Sequence, residues 1–331
     1  MQIQWFPGHM HKAQLKIREM LPKVDMFIEL LDARIPFSSE NPMLAAIRGD
    51  KPCLKVLSKS DLADAERTSR WQAYLESQNG VWARAISTTQ TGTIARLTEV
   101  CQKMAPHRHE QGKAIRAMIV GVPNVGKSTL INVLAGRKIA KTGNEPAITK
   151  SQQQIEIGSG ILLLDTPGVL WPNVENENSG YRLAATGAIK DTAMEYPDVA
   201  HFVAGYLLEN YPHALAERYA LESTPVDQLA LLDAVGKKRG CLRKGGVVDY
   251  DRASRIFIND LRAGGLGPIT LETPELVQQE IAAQIVAKAN KIERKQAKKE
   301  VRLADFKAKR KRVRGKSKKD DSKQDDSKQD D

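Results

Sequence analysis

The sequence predicts an α/β fold with a mostly parallel sheet, followed by an all-α domain and a disordered charged tail. Three observations carry this. Short apolar runs alternate with helical patterns through the first half of the chain. The loop Gly121-Val122-Pro123-Asn124-Val125-Gly126-Lys127-Ser128 stands between an apolar run and an amphipathic stretch. After Gly168 the strand signals stop and helical periodicity takes over. The expected divisions are 1–177, 178–287 and 288–331.

A chain of 331 residues has room for about two packed domains and accessories. Cys53, Cys101 and Cys241 share no paired spacing, so neither a disulfide framework nor a zinc site is indicated. No run approaches the ~20 apolar residues of a membrane span, and the first residues lack a secretory core. The expectation is a cytoplasmic protein with no membrane partner. The net charge of +11 is unevenly placed: residues 288–319 hold sixteen Lys/Arg against three acids, and 320–331 hold six Asp against two Lys. Residues 1–287 therefore carry only +2.

In chain order, Trp5-Phe6-Pro7-Gly8-His9-Met10 precedes a helical stretch with Met10, Ala13, Ile17 and Leu21 on one face. His9 stands near that helix start, a place a polar residue takes without any chemistry. Residues 24–31, 53–57 and 81–86 read as buried strands, followed by helical patterns at 42–47, 63–78 and 92–104. Alternation of this kind calls for a parallel sheet covered by helices. Residues 106–114 read as a polar linker with His107 and His109 solvated. Residues 155–157 and 161–164 read as a hairpin.

The chemistry concentrates at strand ends. Two glycines let the 121–128 loop wrap a phosphate chain, with backbone N–H groups of Asn124, Val125, Gly126 and the helix start through Thr129 facing inward. Lys127 reaches the terminal phosphates and the Ser128 hydroxyl ligates Mg2+. Asp165-Thr166-Pro167-Gly168 ends the hairpin, where Asp165 would hold the metal's water shell and the Gly168 N–H would meet the terminal phosphate. Ser58-Lys59-Ser60-Asp61 ends the second strand. There Asp61 would accept from guanine N1–H and its 2-amino group, with the Lys59 stem over the ring. A plain strand-end turn with a capping Asp is the competing reading of those four residues.

Ordinary GTPases place the base-reading N-K-x-D element after D-x-x-G, whereas here the comparable residues come before the phosphate loop. A doubly wound sheet keeps its ligand loops at the strands' carboxyl ends whatever their chain order. The reading is a circularly permuted P-loop GTPase domain, with 106–114 joining the original termini.

These motifs resemble the circularly permuted GTPases, and within them the ribosome biogenesis GTPase A family (the YlqF type). The resemblance covers Trp5 to about Thr270. It rests on the Trp5–Met10 hexapeptide, Asp32-Ala33-Arg34 through Asn41-Pro42, residues 58–61 and the phosphate loop. It also takes in Pro146-Ala147-Ile148-Thr149, residues 165–168, and Gly246-Val247-Val248-Asp249 through Leu266-Gly267. It implies a K+-stimulated GTPase that binds GTP and GDP and acts late in large ribosomal subunit assembly, contacting rRNA as a monomer. Thr149 aligns with the switch threonine that joins Mg2+, and Asn124 with a K+ ligand. Where Ras-like enzymes place a water-orienting glutamine, this chain has Val169, which cannot polarise water; the resemblance makes His9 the candidate. Two departures stand out. The family's Asn is Ser58 here, which drops an amide from the base site, and its S-A element is Ser87-Thr88.

Beyond the switch, helices are expected at 181–188, 192–210, 214–221, 225–237 and 250–263. Between the last two lies a basic connection containing Lys238, Arg239, Arg243 and Lys244, either a solvated face or an RNA phosphate contact. Residues 283–313 favour helix, and the Asp-Asp-Ser-Lys-Gln repeats from Asp320 favour disorder. Two function classes compete: a GTPase switch on pre-ribosomal RNA, and a P-loop ATPase in metabolism or on nucleic acid. A permuted GTPase of the small subunit is the variant of the first.

Overall fold

The computed structural model describes residue 15 and residues 17–87, 91–139, 153–157, 160–166 and 176–325. It holds six strands: β1 (Met26–Asp32), β2 (Cys53–Ser58), β3 (Val81–Ala85), β4 (Ile115–Gly121), β5 (Gln153–Ile157) and β6 (Ile161–Asp165). Their order is β3-β2-β1-β4-β6-β5. All neighbours run parallel except β5, which pairs antiparallel with β6. The parallel sheet and the hairpin match the expectation from sequence.

β1 is buried along its whole length, as a strand covered on both faces must be. It pairs with β2, Asp32 opposite Ser58, and with β4, Leu30 opposite Gly121. The chain winds outward from β1 through β2 to β3, then returns to β4 on the other side of β1. That reversal is a topological switch point, and the crevice beyond the carboxyl ends of β1 and β4 is where such sheets bind ligands. Asp32 and the phosphate loop flank it.

The helices that serve the sheet are α1 (Pro36–Ser39), α2 (Pro42–Arg48), α3 (Ala65–Glu76), α4 (Thr91–Met104), α5 (Pro106–Glu110) and α6 (Lys127–Leu134). The stretch read as a linker thus contains a short helix. Its Arg108 donates to Asp25 Oδ1 from both Nε and Nη2 (3.1 and 3.0 Å), which ties it to the start of β1. Pro106 at the first position suits a helix start, where the missing N–H costs nothing.

Then follow α7 (Glu177–Ala185), α8 (Tyr196–Asn210), α9 (Pro212–Tyr219), α10 (Gln228–Lys238) and α11 (Tyr250–Arg262). Asn176, Asp227 and Asp249 cap α7, α10 and α11 by accepting from backbone N–H groups of the first turn. Their buried faces join the core beneath the sheet's helices, from Leu183 and Val199 to Phe257 and Leu261. The chain then turns back. Ile269 N donates to Leu62 O (3.0 Å) and Leu271 N to Arg34 O (2.8 Å). Asp64 N donates to Thr270 Oγ1 (3.1 Å), and the Trp71 indole donates to Glu272 O (3.0 Å). Residues 269–272 are therefore a strap that pins the loops after β1 and β2.

The chain up to Val277 is one compact unit and Gln278 begins a second. The last helix, α12 (Pro274–Asp325), starts in the first and supplies the described part of the second. Among the described residues no helix is long and apolar enough to cross a membrane.

Candidate functional site

β4 delivers the phosphate loop, and local chemistry accounts for its shape. A Cβ on Gly121 would lie 2.9 Å from Val125 Cγ1 and 3.0 Å from Leu30 O, so only glycine lets β4 sit this close to β1. Gly126 caps α6 at φ 101° and Asn124 takes φ 59°, left-handed conformations that these two residue types tolerate best. The turn they make starts α6 at Lys127, with Ser128 and Thr129 half-buried in its first turn. Asn124 Nδ2 donates to Gly187 O (2.8 Å), just past the end of α7.

Lys127 Nζ pairs with Asp165 Oδ1, both side chains buried. Burial pulls the Lys127 ammonium below its ordinary pKa and pushes the Asp165 carboxyl above its own, while the pairing opposes both shifts. Among the described residues Asp165 Oδ2 is buried without a hydrogen-bond partner. A buried carboxylate oxygen left unsatisfied costs of order 1–3 kcal/mol unless a ligand claims it. Together with the Ser128 hydroxyl it forms a hard-oxygen donor set suited to Mg2+, which takes one or two protein oxygens and fills its shell with waters and substrate phosphate. No cluster of three or more His, Cys, Asp or Glu capable of holding a metal exists among the described residues, and Mg2+ of this kind needs none.

β2 delivers Ser58, whose hydroxyl lies 2.6 Å from Val125 O and 2.9 Å from Leu31 O. It therefore braces the phosphate loop against the ends of β1 and β2. Lys59 follows in the left-handed region at φ 55°, and Asp61 lies exposed in the short turn after it. The turn leans on the end of β3, where Ser60 N donates to Ile86 O (3.2 Å) and Ser87 is buried. The structure thus gathers Ser58, Asn124, Val125, Lys127 and Asp165 at the carboxyl ends of β1, β2, β4 and β6. His9, Thr88, Thr149 and Gly168 lie outside the described residues.

Asp32-Ala33-Arg34 carries part of the family resemblance without a role of its own in the sequence, and the structure sets it behind this loop. Asp32, at the end of β1, receives Arg34 Nε (2.9 Å) and Nη2 (2.8 Å) and Lys59 Nζ (2.9 Å). Burial alone would raise the Asp32 pKa, but the two cations hold its carboxyl well below the usual range. The signal was an acid at a strand end with a base two residues on. Nothing local says that Lys59 would join them.

The basic connection is a tight turn. Arg243 N donates to Val247 O (2.8 Å), Leu242 and Val248 form a bridge, and Gly245 and Gly246 take φ 89° and 77°. Cys241, Val248 and Ala253 make a small core beneath it. Lys238, Arg239, Arg243 and Lys244 are all exposed. Arg239 reaches Asp260 (2.8 Å) and Arg243 reaches Asp249 (3.1 Å).

Comparison with known proteins agrees with this architecture. A family profile described as "50S ribosome-binding GTPase" matches residues 116–213. The chain is 47% identical over 282 residues to ribosome biogenesis GTPase A of Bacillus pumilus, covering 83% of this chain and all of that protein. It is 31% identical over 281 residues to the Thermotoga maritima protein of the same name, covering 84% and 98%. The crystal structure of GNP-bound YlqF from T. maritima aligns with a TM-score of 0.57 at 28% identity, covering 80% of this chain and 99% of that one. The chain is a GTP hydrolase and belongs to the ribosome biogenesis GTPase A family.

Proposed function

We propose that this GTPase binds the large ribosomal subunit and its rRNA and promotes late maturation of that subunit, working as a monomer. The observation that carries the reading is the 47% identity spanning the whole of a ribosome biogenesis GTPase A. In this reading residues 1–177 form the permuted GTPase domain, 178–287 the ribosome-contacting helical domain and 288–331 a basic arm with an acidic tail. Asp61 reads guanine, flanked by Ser58, Lys59, Ser87 and Thr88.

The residues divide the chemistry. Lys127, the loop N–H groups from Asn124 to Thr129 and the Gly168 N–H hold the phosphates. Ser128, Thr149 and Asp165 would hold Mg2+, and Asn124 would ligate K+. When bound, the two cations offset charge that builds on the phosphates in the transition state. His9 orients the attacking water, since Val169 offers no polar group. Lys127 leaves Asp165 for the terminal phosphates as nucleotide enters, which frees both carboxylate oxygens.

The exposed turn and the arm have separate jobs. The arm binds any RNA through counterion release, while Lys238, Arg239, Arg243 and Lys244, in a turn held between folded helices, help choose the site. The test is sedimentation of the full chain with isolated subunits in GTP analogue and in GDP, with salt titrations of two variants. Truncation after Ala287 should weaken binding to any RNA and flatten its salt dependence by roughly 0.7–0.9 in slope per lost phosphate contact. Neutralising Lys238, Arg239, Arg243 and Lys244 should weaken large-subunit binding more than binding to a random duplex. Equal nucleotide-dependent binding to both subunits would defeat the assignment.

A further inference from the structure

Arg34 is among the largest fully buried side chains of the described residues, yet it lies two residues past the end of β1 beside the crevice. Both of its bonds to a carboxylate go to Asp32, and Asp32 also takes Lys59. Lys59 stands in a left-handed turn, a conformation that is strained for a non-glycine residue and persists where surroundings over-determine it. Asp32 is the surrounding group that does so. The same loop is clamped from behind. Arg34 O accepts from Leu271, Leu62 O accepts from Ile269, and a Cβ on Gly264 would meet Leu62 Cδ2 at 2.8 Å. Arg34 Nη1 also lies 3.4 Å from Arg262 O, at the end of α11. Arg262 in turn caps the end of α7, donating to Ala184 O (2.8 Å) and Ala185 O (3.0 Å).

We propose that Asp32 is a positioning residue for guanine recognition: it holds Lys59 in its left-handed turn and, through Arg34, fixes the 58–61 loop against the end of α11, so that Asp61 meets the base in one geometry. The inference rests on the reading of 58–61 as the base loop. Asp32 touches no nucleotide; it acts through Lys59 and Arg34. A loop held this way distinguishes bases because its acceptor stays put. Freed, it would lose the contact to the 2-amino group of guanine, which inosine nucleotides lack, and the two bases would be bound more alike.

The experiment is equilibrium titration of the full chain with GDP and IDP, together with steady-state GTP hydrolysis. Asp32→Asn should weaken GDP binding about five- to tenfold, because it loosens the loop without removing a nucleotide contact, and should lower the IDP-to-GDP ratio of dissociation constants. KM for GTP should rise while kcat at saturation stays close to the parent's. Combined with Lys59→Met, the double variant should lose no more GDP affinity than the worse single variant. Parent-like GDP affinity, an unchanged ratio or additive losses would each overturn the proposal. If Asp32→Asn does not fold, Lys59→Met alone decides, since it leaves the buried Arg34 paired. It should narrow the ratio, and an unchanged ratio overturns the inference. Asp61→Asn in the parent separates this from the underlying reading. A gain of XDP binding with a parent-like ratio in Asp32→Asn sinks the positioning role alone. No gain of XDP binding sinks the base-loop reading as well.

Discussion

At the ends of β4 and β6, one buried carboxylate, Asp165, meets one ammonium, and its second oxygen has no partner among the described residues. At the base end, one buried carboxylate meets a guanidinium and an ammonium, and both of its oxygens are engaged. The two arrangements drive their acids in opposite directions, Asp165 up and Asp32 down. Among the described residues Asp165 is thus incompletely paired, whereas Asp32 is fully paired within the protein. The 58–61 loop is therefore held by protein partners of its own, while Asp165 keeps one oxygen for a further one.

The largest effect should come from breaking the incomplete pair. Lys127→Ala leaves Asp165 buried without its cation, an arrangement that costs about 3–5 kcal/mol. The same change removes the phosphate ligand, so GTP affinity should fall at least ~100-fold, equivalent to about 2.7 kcal/mol. Its stability should also depend on pH with a definite sign. The Asp165 pKa is already raised by burial and rises further without Lys127. A raised carboxyl pKa contributes stability at low pH and loses it as pH climbs towards the folded value. Thermal midpoints of parent and variant should therefore lie closer at pH 5.5 than at pH 8. A gap that does not widen with pH would mean that Asp165 relaxes into solvent.

A third buried carboxylate sharpens the contrast, because it sits on the same strand as Asp32 without a direct cation. Glu29 accepts from Asn41 N (2.9 Å), while nearby Lys55 pairs with Glu40 instead. Burial, reinforced by Glu40, pushes the Glu29 pKa to about 8. The unfolded chain ionises this group first, so its contribution to stability falls between about pH 4.5 and 8 and is flat above. Glu29→Gln keeps the acceptor and removes the titration. It should stabilise the protein by roughly 1–3 kcal/mol at pH 8, and the gain should vanish near pH 5. Urea unfolding at the two pH values reads the difference directly. A stability gain independent of pH would assign the effect to packing.

The sequence made some of this legible and concealed the rest for a physical reason. The phosphate loop, the sheet's alternation and the hairpin ending at Asp165 are local patterns, each carried by residues within a few positions. The contacts that complete the site are not local. Asn124 meets Gly187, Asp64 meets Thr270, and Arg34 meets Leu271, each pair joined only once the helical region has folded back. Glu29 and Lys55 lie within the two apolar runs 24–31 and 53–57, and only cross-strand pairing sets them side by side. Arg108 turned a stretch read as linker into a docked helix through Asp25, more than eighty residues earlier in the chain. Residue chemistry was visible in advance; partner choice was decided by topology.

The smallest expected effect tests whether the two ends of the crevice are coupled. Ser58 stands where the family has an amide, and its hydroxyl touches the carbonyls of Leu31 and Val125. One hydroxyl hydrogen cannot fully serve two carbonyls, whereas an amide carries two donors. Ser58→Ala removes that brace at a cost of about 1 kcal/mol, which should weaken GDP binding about fivefold. Because the brace ends on the phosphate loop, the loss should fall on GDP and IDP alike and leave their ratio unchanged. Asp32→Asn, acting on the base loop, should move that ratio. If Ser58→Ala moved it too, the Ser58 hydroxyl would be reading the base, or the two ends would shift together as one body. Ser58→Asn separates those outcomes. An amide whose oxygen accepts from the 2-amino group raises the IDP-to-GDP ratio, whereas one that only braces the phosphate loop tightens both nucleotides equally.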